Sequence, residues 1–145
     1  MSNSTIHFFN EDVSDKLKNK GILRNWIGEI AKDQGYRIAD LNFILCSDEY
    51  LLVLNTQYLN HDTYTDVITF DNNPEADSMK IIGDIFISID RIIENANKIG
   101  VSTENELHRV MIHGALHLMG YKDKSAADKL KMTQMEDSSL ALLSL

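Results

Sequence analysis

The sequence predicts an α+β fold, with a small mixed sheet of about four strands packed with helices. Three observations predict it. The apolar periodicity changes between strand and helix types in the order strand, helix, strand, helix, two strands, three helices. No internal repeat, low-complexity tract or linker interrupts the chain, so residues 1–145 read as a single domain. A length of 145 residues with 43% hydrophobic content lets such a domain bury about two-thirds of its unfolded surface.

Taken in order, residues 6–9 (Ile-His-Phe-Phe) read as a first strand. From 13 to 34, apolar residues at Leu17, Ile22, Leu23, Trp26, Ile27 and Ile30 keep near-helical spacing, and Gly35 ends the helix. Residues 41–46 read as a strand. Ser47, followed by acids, opens a helix whose apolar stripe takes in Leu51, Leu54 and Tyr58. Strands at 66–70 and 81–88 flank the turn-rich segment 71–74, as in a hairpin-type connection. Ser88 caps a helix through Ile92, Ile93 and Ala96 to Gly100. Thr103 and Glu106 fit a capping box for a helix running to about Met119. Along it Leu107, Met111, Gly114 and Leu118 form the stripe that a helix buries. Ser125 with Asp128 caps the last helix.

Composition narrows the function. A formal charge of −8 speaks against diffuse attraction to nucleic acid, which needs clustered Lys and Arg. An RNA role would rest on a local patch around Lys122, Lys124, Lys129 and Lys131, with Lys80 and Arg109 as additions, although mixed charge on a solvated helix gives the same pattern. Cys46 is the only cysteine, so a metal must use histidines and carboxylates, and a reducing compartment suits the chain. No apolar run approaches the roughly 20 residues that span a bilayer. Residues 1–5 show no basic segment leading into an apolar one, which predicts a cytoplasmic protein without a membrane partner.

His113 and His117 stand four residues apart, so on a helix their imidazoles share one face and can reach one ion. Gly120 can adopt a left-handed conformation and turn the chain back, so that Asp123 supplies a third donor. Three protein ligands leave a position open for water, the arrangement of a catalytic, zinc-hydrolase-like site. His7, His61 and His108 are read as structural.

Residues 113–123, read with Thr65-Asp66-Val67-Ile68-Thr69-Phe70 and Gly83-Asp84-Ile85-Phe86-Ile87-Ser88, resemble the bacterial YbeY family of ribosomal-RNA maturation endoribonucleases over about residues 40–125. The family's metal motif has the form His-Gly-x-Leu-His-Leu-x-Gly-Tyr-Asp-His. His113, Gly114, Leu116, His117, Leu118, Gly120 and Tyr121 meet it by identity. Lys122 replaces the usual Asp, and Asp123 replaces the third histidine. A carboxylate also binds zinc, but its hard anionic oxygen improves the standing of manganese or iron. Leu59 stands where the family carries an arginine, and Thr69 where it carries a serine.

The resemblance implies a metal-dependent endoribonuclease domain that cleaves single-stranded RNA. It implies the small-subunit ribosomal RNA precursor as substrate, the ribosome or ribosome-assembly proteins as partners, and one divalent ion, zinc in the first instance. Thr65, Asp66, Thr69 and Asp84 are candidates for the cleft or for orienting the ligands, and Asp66 and Asp84 could equally be strand-end caps. Lys122 and Lys124 are the RNA-binding candidates, and no catalytic base can be assigned. Two other functions compete. A zinc metalloprotease would need a glutamate general base after the first histidine, where this chain has Gly114. A non-catalytic assembly factor, in which the metal only ties the C-terminal helices together, fits Leu59 and the negative charge.

Overall fold

The computed structural model describes residues 5–60, 64–75 and 78–144. His61, read above as structural, and residues 1–4 of the N-terminal reading lie outside them. Among the described residues nine elements follow one another: β1 (Ile6–Asn10), α1 (Lys20–Asp33), β2 (Arg37–Cys46), α2 (Asp48–Leu59), β3 (Val67–Asp71), β4 (Lys80–Ser88), α3 (Ile89–Ile99), α4 (Thr103–Leu118) and α5 (Ala126–Ala141). They form an α+β domain in the predicted order.

The sheet runs β1-β2-β4-β3. β1 with β2 and β2 with β4 are parallel, while β3 pairs antiparallel with β4 and forms one edge. Because side chains alternate along a strand, the two faces have different partners. Leu41, Phe43, Leu45, Ile81, Ile85 and Ile87 point into the main core, against Leu23, Trp26 and Ile27 of α1 and Met111, Ala115 and Leu116 of α4. On the other face α2 covers a smaller cluster of Cys46, Leu51 and Ile68, flanked by Phe70 and Phe86. Burial among this apolar packing and nearby acids pushes the Cys46 thiol up to about 12.

Several predicted boundaries move. Residues 13–19 are not helical: Asn19 is left-handed (φ 60°), a conformation that a right-handed helix cannot pass through, and α1 starts at Lys20. Val13 and Leu17 pack against the core from an irregular segment instead. β2 begins four residues before Leu41. The stripe expected to include Tyr58 buries Leu51 and Asn55, and Tyr58 is 65% exposed with its ring edge-on to Phe70.

Ser47 and Ser88 cap α2 and α3 as expected, each accepting a backbone N–H. The N-cap of α4 is Ser102 rather than Thr103, accepting from the Asn105 amide at 3.0 Å. Glu106 is therefore no capping-box partner and is buried. The box predicted at Ser125 and Asp128 is present.

Candidate metal centre

Two local devices aim the histidines. α4 crosses β4 closely enough that a Cβ on Gly114 would stand 2.8 Å from Ile85 Cγ2. That fit presses the helix onto the sheet and leaves His113 and His117 half-buried on the side facing β3. The helix then ends in a Schellman turn: Gly120 N–H donates to the His117 carbonyl and Tyr121 N–H to the Leu116 carbonyl, both at 3.0 Å. Gly120 is left-handed (φ 96°), as the sequence predicts, and a side chain there would be strained. The chain returns over the helix end with Asp123 facing the histidines.

The rings of His113 and His117 lie at 83° with centroids 4.6 Å apart and their Nε2 atoms 3.1 Å apart. Asp123 Oδ2 is 3.5 Å from His113 Nε2 and 3.4 Å from His117 Nε2. Each Nδ1 faces an acceptor: His113 donates to Glu136 Oε2 at 2.6 Å and His117 to the Tyr121 carbonyl at 2.9 Å. With both Nδ1–H groups so committed, the two Nε2 lone pairs and one carboxylate converge on one point. Neutral imidazole nitrogen with carboxylate oxygen is a donor set for a divalent metal, so these three atoms could hold one ion between them. Among the described residues, His113, His117 and Asp123 form a group whose donor atoms all lie within 4.8 Å of one another.

Burial works against the charged form of His113. The hydrogen bond and charge of Glu136, with Asp123 and Asp66 adding to them, outweigh it and raise the pKa above the ordinary 6.5. Burial also raises the carboxyl of Asp66. Glu106, on α4 one turn before Arg109, is raised by burial and by the charge of Asp66.

A cleft of about 430 Å³ opens over the three donors, lined among others by Leu59, Thr65, Asp66 and Thr69. Asp84 does not line it. Neighbouring Ile85 points into the main core, so Asp84 faces the opposite side of the sheet, where the Asn42 and Asn72 amides donate to it at 2.9 and 3.2 Å. Lys122 and Lys124 are exposed on either side of Asp123. Lys80 is paired with Glu75 at 3.0 Å and Arg109 with Glu136 and Asp137 at 2.9 and 2.7 Å, which takes both from the basic patch. His108 is buried with its ring edge-on to Trp26, and its pKa is lowered by that burial; His7 is exposed beside Phe9.

Glu136 is absent from the residues that the sequence singles out. Its signal is a carboxylate four residues after Met132 and four before Leu140, on the stripe that α5 turns inward, but nothing local ties that stripe to His113. The Tyr121 carbonyl is main chain and carries no sequence signal.

The chain matches known proteins over nearly its whole length. A family model described as Endoribonuclease YbeY matches residues 5–144. Endoribonuclease YbeY of Cytophaga hutchinsonii is 51% identical over 142 residues, covering 98% of each chain. The Flavobacterium psychrophilum protein of the same name is 46% identical, over 92% of this chain and 94% of that one. A solution structure of TM1509 from Thermotoga maritima superposes with a TM-score of 0.64 at 29% identity, covering 93% of this chain and 86% of the other.

Proposed function

This chain belongs to the YbeY family of endoribonucleases, and from that we propose that it is a metal-dependent endoribonuclease that cleaves single-stranded RNA. We further assign it to cytoplasmic maturation of the small-subunit ribosomal RNA precursor, in company with the ribosome or its assembly proteins. No helix among the described residues is long and apolar enough to cross a membrane. The observation that carries the chemistry is the convergence of His113 Nε2, His117 Nε2 and Asp123 Oδ2, with both Nδ1–H groups already satisfied. These three residues are the proposed metal ligands and zinc the proposed ion. A divalent ion held there would bring its water toward neutral pKa and offset charge on a phosphoryl oxygen during hydrolysis.

The chain's own residues do the rest. Glu136 and the Tyr121 carbonyl hold the imidazoles in the tautomer that presents Nε2. Thr65 and Thr69 offer hydroxyls along the cleft, and Asp66 offers a carboxyl whose affinity for a proton is increased by burial. Lys122 and Lys124 supply positive charge beside the cleft mouth for the RNA backbone. A metalloprotease role is disfavoured by packing as well as by residue type, because a side chain at position 114 would be driven into Ile85.

The test is cleavage of a single-stranded RNA by purified protein after metal analysis, with the His113→Ala, His117→Ala double variant as the control. Metal-dependent cleavage confined to the wild type is expected. Equal metal content in both proteins would remove the ligand assignment. One observation favours the second reading, a non-catalytic assembly factor: the described lining of the cleft includes Asp66, Asp71 and Asp123 but no Lys or Arg, and Leu59 sits on its rim. Wild-type protein that binds metal and ribosomal particles but leaves RNA intact would establish that reading instead.

A further inference from the structure

We propose that Glu136 is a positioning residue of the metal site, and that through it the docking of α5 and the occupancy of the site form one linked equilibrium. The inference rests on the reading that His113, His117 and Asp123 hold a divalent ion.

The buried residues of α5 are Met132, Glu136 and Ser139, about a turn apart. Met132 enters the main core, and the Ser139 carbonyl accepts Trp26 Nε1–H at 2.7 Å. Between these two attachments lies Glu136, whose side chain is only 10% exposed, with both oxygens engaged by α4. Arg109 holds Oε1 at 2.9 Å and braces itself on Asp137 at 2.7 Å, which leaves Oε2 for His113 Nδ1–H at 2.6 Å. The middle attachment of α5 is therefore a ring atom of a metal ligand.

Coordination of a cation at Nε2 draws electron density from the imidazole and makes its Nδ1–H a stronger donor. The bond to Glu136 then strengthens, and α5 is held more firmly. Linkage requires the reverse as well: a docked α5 must raise metal affinity by the same factor. His117 has no such bond to α5, since its Nδ1 partner is the carbonyl of Tyr121, in the turn that ends its own helix.

Two measurements test the proposal with zinc alone as the probe. In competition titrations, Glu136→Gln should bind zinc about 10- to 100-fold more weakly than wild type. Asp137→Asn, which alters only the far end of the chain of contacts, should bind almost as tightly as wild type. In amide hydrogen exchange, zinc should slow exchange across residues 126–141 of the wild type, and Glu136→Ala should lose that response. The wild-type exchange measurement needs no variant, so it stands even where one fails to fold. Wild-type protein that takes up no zinc overturns this inference and the metal reading together. If the wild type binds zinc, unchanged affinity in a folded Glu136→Gln, or α5 exchange indifferent to zinc, overturns this inference alone.

Discussion

Gly114 of α4 and Ile85 of β4 meet so closely that a Cβ on the glycine would lie 2.8 Å from Ile85 Cγ2 and 3.0 Å from its Cδ1. The contact sets the depth at which the helix carrying both histidines sits on the sheet. Ile85 is fully buried, and its Cγ2 is fixed to the strand through Cβ, so neither side can yield cheaply.

Gly114→Ala should therefore destabilise the protein by about 1–3 kcal/mol, although alanine is the better helix former. Adding Ile85→Ala should recover part of that loss relative to the Ile85→Ala single variant. Urea unfolding of the four proteins checks this, and additive costs would mean that the two residues do not press on one another.

Replacing Asp123 with His should turn metal preference toward zinc and away from manganese, because a neutral nitrogen replaces an anionic oxygen. Asp123 is 44% exposed at the cleft, so folding should change little. Competition binding of the two metals to wild type and Asp123→His is the measurement. Identical preference would place Asp123 outside the ligand set.

Lys122→Glu with Lys124→Glu should weaken RNA binding and flatten its salt dependence, by about 0.7 in the log–log slope for each phosphate of a single strand that is no longer neutralised. Binding to a short single-stranded RNA should be followed from low to moderate salt in the His113→Ala background, which prevents cleavage. A slope unchanged by both replacements would take the pair out of the interface.

Glu106 gives a pH prediction. Its folded pKa is raised above the ordinary 4.5, first by burial and then by Asp66, so the folded chain holds a proton that the unfolded chain releases. Stability from this group is complete below 4.5 and declines as pH rises through the folded value. Glu106→Gln removes the titration. It should flatten the loss of stability over that window and raise the melting temperature at neutral pH relative to wild type. A thermal melt series in the presence of chelator decides it, and parallel curves would refute the assignment.

What the sequence shows well is local. The four-residue interval of His113 and His117, the left-handed Gly120 and the Ser125–Asp128 box each depend on a few neighbouring residues, and all appear with the expected geometry. Sequence and structure part where distant contacts decide. Ser102 and Thr103 are adjacent hydroxyls, and the sequence favours Thr103 because Glu106 stands where its partner would, whereas tertiary packing buries Glu106. The motif around Asp84 draws it toward the site, although alternation along β4 puts it opposite Ile85. The order β1-β2-β4-β3 and the approach of Glu136 to His113 across 23 positions depend on how separate elements assemble.

The two histidines are braced in unlike ways, and this bears on how the site can vary. The brace of His113 is a side chain, so a single codon change can loosen it, and an alanine scan would find it at once. The brace of His117 is the carbonyl of residue 121, which every amino acid possesses. Replacing the Tyr121 side chain would remove its hydroxyl bond to Gln34 and its ring beneath Lys131, yet leave that carbonyl in the chain. A mutational survey would accordingly report half of the support of this site and pass over the other half, whose constraint is written in the left-handed turn at Gly120.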